Sequence, residues 1–206
     1  MFMLAGGYDH KDWWPPAGWA WRLENQRTAP NYWSDQTTHE SRNQPIYGVS
    51  WYEAVAFCGW LNATQNRYIV RLPTEAEWEV VAAYDAPGEQ HTYPWGDAAI
   101  TLERAIYNEH RMQNRPAPVG TCVAGTTANG ALDMGGNLWE WTHTGWENYP
   151  GGANKVDIIF DGISVSTRGG SWVSGPRNAR SASRHGSGTY IRNVNLGLRL
   201  VCALPV

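Results

Sequence analysis

Asp133 and Glu140 stand seven residues apart around the run Met134-Gly135-Gly136-Asn137-Leu138-Trp139, the densest polar constellation in the chain. Their carboxylates, together with the carbonyls of Gly136 and Leu138 beside a Gly-Gly turn, are the hard oxygen donors that calcium takes. A competing reading puts Glu140 on a buried arginine and Asp133 on the turn itself, with no ion, and the spacing differs from that of an EF-hand loop. Other chemistries find less support. His10, His39, His91, His110, His143 and His185 form no HxxxH or HExxH pair, so local spacing gives no zinc or iron site. Ser171 in Gly-Gly-Ser-Trp lacks the GxSxG context of an activated serine and reads as a turn residue. Gly169-Gly170 lacks the lysine and spacing of a phosphate loop.

Around these residues stand 206 amino acids, 42% hydrophobic and 17% charged, enough for one core and one domain spanning residues 1–206. Thirteen Trp and ten Tyr against three Phe, with 22 Gly and 12 Pro, describe a loop-rich fold. Its buried rings carry polar edges that need hydrogen-bond partners. The net charge of −3 and the absence of basic runs argue against nucleic acid as a partner. Cys58, Cys122 and Cys202 are odd in number and far apart, so no disulfide framework is expected and a reducing, cytoplasmic compartment is favoured. No apolar run long enough to span a bilayer and no signal peptide is visible. Met1 to Tyr8 reads as the tail of a helix, so the chain is expected to be a C-terminal piece of a longer protein.

Two helices announce themselves by capping boxes, Ser50-Trp51-Tyr52-Glu53 and Thr74-Glu75-Ala76-Glu77. The first is expected to close at Asn62, the second at Asp85-Ala86-Pro87-Gly88. Trp13 to Asp35, rich in Trp and Pro without a clean period, reads as an irregular arm. Tyr93 to Asp97 is a tight turn, and Glu109–Asn129 and Tyr149–Asn154 are loops. Strand candidates are Leu138–Thr142, Ser164–Arg168 and Gly197–Ala203.

Five ordered motifs then come together: Tyr47-Gly48-Val49-Ser50-Trp51-Tyr52-Glu53-Ala54, Arg71-Leu72-Pro73-Thr74-Glu75-Ala76-Glu77-Trp78-Glu79, Tyr93-Pro94-Trp95-Gly96, Gly136-Asn137-Leu138-Trp139-Glu140-Trp141 and Arg168-Gly169-Gly170-Ser171-Trp172. Over nearly the whole chain this set resembles the formylglycine-generating-enzyme (FGE-sulfatase) family. The resemblance implies an α+β, C-type lectin-like fold with a small twisted antiparallel sheet, two helices and extensive irregular loops. It implies structural calcium at Asp133, Gly136, Leu138 and Glu140. The family's two copper-binding cysteines match Ser174 and Ala179 here, which offer no thiolate for copper. No copper, no organic cofactor and no catalytic activity is therefore expected. The related iron-dependent sulfoxide synthases draw their histidines from a preceding domain outside this chain. The family also begins with a strand and helix ahead of Phe2 to Tyr8, and that N-terminal segment is an expected partner for the edge near Gly197–Ala203.

Residues 168–206 resemble more closely the mutable end of the variable proteins of diversity-generating retroelements, fitting the GGSW…PRNARSA…R…R frame from Gly169 to Arg199. The resemblance implies fourteen exchangeable positions: Val173, Ser174, Gly175, Ser183, His185, Gly186, Ser187, Gly188, Thr189, Tyr190, Ile191, Asn193, Val194 and Asn195. None is Lys, Gln, Glu, Met or Trp, the types that adenine-directed diversification of AAC codons does not produce. Small polar residues with a Tyr and a His suit a contact surface on loops held by a rigid scaffold. Arg180, Arg184, Arg192 and Arg199 are expected to hold the loop backbone. The expected function is ligand binding, with a protein or cell-surface epitope as partner. The alternatives are an FGE-like enzyme domain of other chemistry and a fixed sensor module of a larger signalling protein.

Overall fold

The computed structural model describes residues 1–34, 43–85, 88–109, 115–146 and 164–205. The loop read at Tyr149–Asn154 lies outside them, as do His39 and His110. Both capping boxes form as written. Ser50 Oγ accepts the Glu53 N–H at 3.2 Å while the Glu53 carboxylate accepts the Ser50 N–H at 2.7 Å, opening α2 (Trp51–Thr64). Thr74 and Glu77 do the same for α3 (Glu75–Ala83). Helix α2 runs two residues past Asn62, whose side-chain amide donates to Val70 O and accepts from Val70 N. Asn62 thus ties strand β1 (Ile69–Arg71) to the helix instead of ending it.

A further helix, α1 (Pro16–Glu24), lies in the arm read as irregular. Proline at its first turn pre-sets the backbone, but its buried residue is Gly18, which packs on Tyr52. A Cβ there would stand 2.9 Å from the Tyr52 Cβ. Ala17, Trp19 and Trp21 also pack against the core, but at a spacing of two residues, so helical periodicity alone passes over the element.

Strands β2 (Trp139–Gly145), β3 (Ser164–Arg168), β4 (Arg184–Gly188) and β5 (Leu196–Leu198) form a sheet in the order β4-β3-β2-β5. Strand β6 (Val201–Ala203) pairs antiparallel with β1 in a second, two-stranded sheet. The four-stranded sheet is mixed, not wholly antiparallel, because β5 runs parallel to β2. The single strand expected over Gly197–Ala203 is two: after Leu198 the chain leaves β2, and Arg199 turns to Glu140 and the Leu132 carbonyl. Such a switch between sheets keeps the apolar alternation and so is invisible in it.

The main core sits between α2 and the four-stranded sheet, where Trp51, Tyr52, Trp139, Trp141, Val165 and Leu196 pack together. Indole N–H groups pin the irregular backbone around it. Trp14 donates to Gly7 O, Trp51 to Thr142 O and Trp141 to Val49 O, each at 2.8–2.9 Å, so burying these rings leaves no donor unpaired. No helix among the described residues is long and apolar enough to cross a membrane.

Cys58 and Cys122 are buried and Cys202 is exposed. Burial pushes the Cys58 thiol up to about 12 and the Cys122 thiol up to about 11, which withholds the reactive thiolate. Ellman's reagent at pH 8 is expected to titrate Cys202 rapidly in the native protein and all three thiols in denaturant. Equal native rates for Cys58 and Cys202 would contradict this packing.

Candidate functional site

The C-terminal segment is fastened to the core by arginines. Arg184 pairs with both carboxylate oxygens of Glu75. Arg192 reaches Glu53 at 2.9 Å and the Ala29 carbonyl. Arg199 pairs with both oxygens of Glu140 at 2.9 Å. Arg168, fully buried, donates to Glu79 and Ser181 O while its guanidinium lies 5.1 Å from the Trp78 ring centroid. Burial pushes the Glu75 carboxyl up, but its bonds from Arg184 and Ser166 and the charges of Arg168 and Arg184 outweigh that and leave it below the usual range. Arg180, expected to share this fastening, is exposed and makes no ion pair among the described residues.

Between these anchors the backbone turns sharply. Gly169 and Gly170 both have positive φ, and a Cβ on Gly170 would lie 2.6 Å from Asn178 O, so this turn demands glycine. Ser171 is a buried turn residue, as expected. Its carbonyl accepts the Ser174 N–H, and its hydroxyl contacts Ser174 Oγ at 2.7 Å and accepts from Asn195 Nδ2 at 3.2 Å. The turn leads into the short 3-10 helix Pro176–Ala179, and then into β4.

Thirteen of the fourteen positions that the resemblance implies to be exchangeable reach solvent wholly or in part. Val173 and Tyr190 are 45% and 58% exposed, and His185 and Asn193 are exposed as well. Thr189 departs from the expectation: it is 0% exposed, its hydroxyl bonded to Tyr52 OH at 2.9 Å and its carbonyl to Trp51 N–H. It belongs to the frame because it closes the N-terminus of α2. Ile191 is partly buried against the core. The structure adds Trp146, an exposed indole that covers Gly186 and lies 4.7 Å from the Arg184 guanidinium. Its partner is a glycine without a side chain, so no sequence signal pointed to it.

Beneath the frame, Asp133 and Glu140 are already engaged. Glu140 receives Arg199 on both oxygens and Trp78 Nε1 at 2.7 Å on one of them, and Asp133 accepts the Gly120 N–H at 2.7 Å. Burial pushes the Asp133 carboxyl up, with the Glu140 charge adding to it, against the pull of Gly120 and Arg199. Of the four residues expected to ligate calcium, Asp133, Gly136, Leu138 and Glu140, Glu140 is thus bonded on both oxygens by the Arg199 guanidinium. Among the described residues, no group of three or more His, Cys, Asp or Glu is placed to hold a metal.

A loop-rich C-terminal segment held over a mixed sheet and capped helices by arginine–glutamate pairs defines a C-type lectin-like α+β domain. The solved structure of Treponema denticola variable protein 1 superposes with a TM-score of 0.65 at 21% identity, covering 92% of this chain and 81% of that one. The profile of the Sulfatase-modifying factor enzyme 1-like domain matches residues 1–204, and the chain belongs to the FGE-sulfatase family. It is 35% identical to the formylglycine-generating enzyme of Mycobacterium tuberculosis, covering 96% of this chain and 69% of that protein. It is 36% identical to hercynine oxygenase of Mycolicibacterium thermoresistibile over 97% of its own length.

The chain spans about half the length of the hercynine oxygenases it matches, 47% of the Mycolicibacterium thermoresistibile protein. These relatives overturn the expectation that the chain stands apart from enzymes. Ser174 and Ala179 remove one thiolate chemistry, whereas relatives at 34–36% identity over 97% of the chain are oxygenases.

Replacing Arg199 by Met leaves Glu140 buried without its cation, a loss of about 3 kcal/mol. In a domain of this size that lowers Tm by roughly 6–12 °C. Adding EGTA to the wild-type protein leaves Tm unchanged in the same scan. A calcium-dependent rise in Tm that disappears in Asp133→Asn would show that the ion does bind there.

Proposed function

We propose that this chain is a ligand-recognition domain whose contact face is built from residues 173–195, exchanged by a diversity-generating retroelement to meet new protein or cell-surface ligands. The observation that carries this reading is the division of labour along one segment. Arg184, Arg192 and Arg199 are anchored on Glu75, Glu53 and Glu140, while thirteen of the fourteen candidate positions, all but Thr189, reach water wholly or in part. Side chains at the solvent positions can change without touching the core, which is the arrangement a tunable surface requires.

A second reading follows from the 36% identity to hercynine oxygenase. Here the same face is the substrate side of an oxygenase whose remaining half lies elsewhere, and its ligand is a small molecule. Two measurements separate them. The first reading requires, near the gene, a reverse transcriptase and a near-repeat of the region encoding Gly169–Val206 that differs only at adenines. No such repeat, or one matching at all fourteen codons, would sink it. Saturable binding of hercynine in calorimetry, lost on altering the face, would favour the second.

Within either reading the two kinds of position behave differently. Tyr190→Ala is expected to weaken ligand binding by about 2 kcal/mol, roughly thirtyfold, with Tm unchanged. Thr189→Val, which breaks the bond to Tyr52, lowers stability by about 1 kcal/mol.

A further inference from the structure

Resting on the reading of residues 173–195 as a ligand face, we propose that Trp146, outside that segment, is the fixed anchor of the face and takes an apolar side chain of a polypeptide ligand. Residue 186 sets the position of the anchor.

Trp146 directly follows β2, and its N–H donates to Ser164 O at 2.8 Å, so β3 fixes the backbone from which the ring extends. The indole covers Gly186 of β4. A Cβ on Gly186 would stand 2.7 Å from Cγ and Cδ2 of Trp146 and 3.0 Å from Cδ1. These atoms are the root of the side chain, so a small torsion does not clear them, and the whole ring has to leave for another rotamer. Glycine at 186 is therefore what allows the indole to lie against the strand. Gly188 differs. A Cβ there meets the far edge of the Tyr190 ring, with Cε1 at 3.0 Å and Cζ at 3.4 Å, and that edge moves aside by a slight rotation. Exchange at 186 displaces Trp146, whereas exchange at 188 shifts only a ring tip.

Two residues apart in one strand, Gly186 and Gly188 face the same side of the sheet, so the Trp146 and Tyr190 rings lie on that side together. Trp146 is 39% exposed and Tyr190 58%.

The chemistry of this pair selects its occupant. The Arg184 guanidinium lies 4.7 Å from the Trp146 ring centroid and is paired with both oxygens of Glu75, so the charge beside the ring is balanced within the protein. What the two rings show to solvent is apolar area, and Trp and Tyr are the side chains that most often dominate binding energy. A polypeptide meets such a pair with an aliphatic or aromatic side chain. Because Trp146 stands outside the exchangeable positions, every version of the segment keeps the anchor, and residue 186 decides whether it lies down or swings away.

The test uses the whole chain labelled with fluorotryptophan, with Trp146→Phe identifying the Trp146 fluorine resonance. Gly186→Ser should move that resonance and raise its solvent isotope shift, the mark of a more exposed ring, while Gly188→Ser leaves it in place. The binding probe is a set of peptides enriched from a random display library on the wild-type chain and counter-selected against Tyr190→Ala, so that they engage the face. These peptides should carry an apolar side chain whose replacement by Ala abolishes binding. Trp146→Ala and Gly186→Ser should each weaken their binding by roughly tenfold or more, and Gly186→Ser should add little once Trp146 is Ala. An unmoved resonance in Gly186→Ser, or Tyr190-dependent peptides that are indifferent to both Trp146→Ala and Trp146→Phe, overturns the anchor and leaves the recognition face standing. A library that yields no Tyr190-dependent peptide counts against both.

Discussion

Three arginine–glutamate pairs, their carboxylates buried, hold this molecule's C-terminal segment in place. Arg192–Glu53, Arg184–Glu75 and Arg199–Glu140 each join the C-terminal segment to a different core element, α2, α3 and β2 respectively. Two of these glutamates also work within their own helices. Glu53 is the capping-box residue of α2, and Glu75 sits in the first turn of α3, where a carboxylate faces the positive end of the helix dipole. Breaking one pair therefore disturbs a helix start and a loop anchor together, and leaves a charge buried without its partner. Tyr8 shows how enclosed one of these sites is: burial and the Glu53 carboxylate push its hydroxyl well above the ordinary range.

That arrangement accounts for how a segment rich in glycine and serine keeps one path. Small residues lose much backbone freedom when ordered and offer little apolar area in return. Here order comes from outside the segment: guanidinium forks bind planar carboxylates in a fixed geometry, and left-handed glycines at 169 and 170 set the entry angle. Thr189, embedded against Tyr52 and Trp51, adds a fourth attachment from within the stretch. The residues left over make few demands on the core.

Much of this was legible in the sequence, and the failures are instructive. Capping boxes are local chemistry, and both helices they announced formed. The ordered motifs carried the family and its α+β, C-type lectin-like fold. The reading of Glu140 as an arginine partner was available beside the calcium reading, but linear spacing does not show that Arg199, fifty-nine residues on, supplies the cation. Helix α1 escaped because its core contacts, Ala17, Trp19 and Trp21 beside Gly18, do not repeat at helical spacing, and the switch from β5 to β6 because pairing partners leave no mark on alternation. Thr189 looked exchangeable in a run of small polar residues, since burial of a threonine depends on what packs over it. The inference from missing cysteines to missing catalysis failed for a different reason: a family holds more than one chemistry, and losing the ligands of one says nothing of the others.

The central claim is that the anchors carry the stability and the solvent positions do not. Thermal unfolding of two variants tests it directly: one with Val173, Ser183, His185, Ser187, Asn193 and Val194 all replaced by other small or polar residues, the other carrying Arg192→Leu alone. The account predicts that the sixfold variant melts within a few degrees of wild type while Arg192→Leu melts far below it. A sixfold variant that unfolds as early as Arg192→Leu would contradict it.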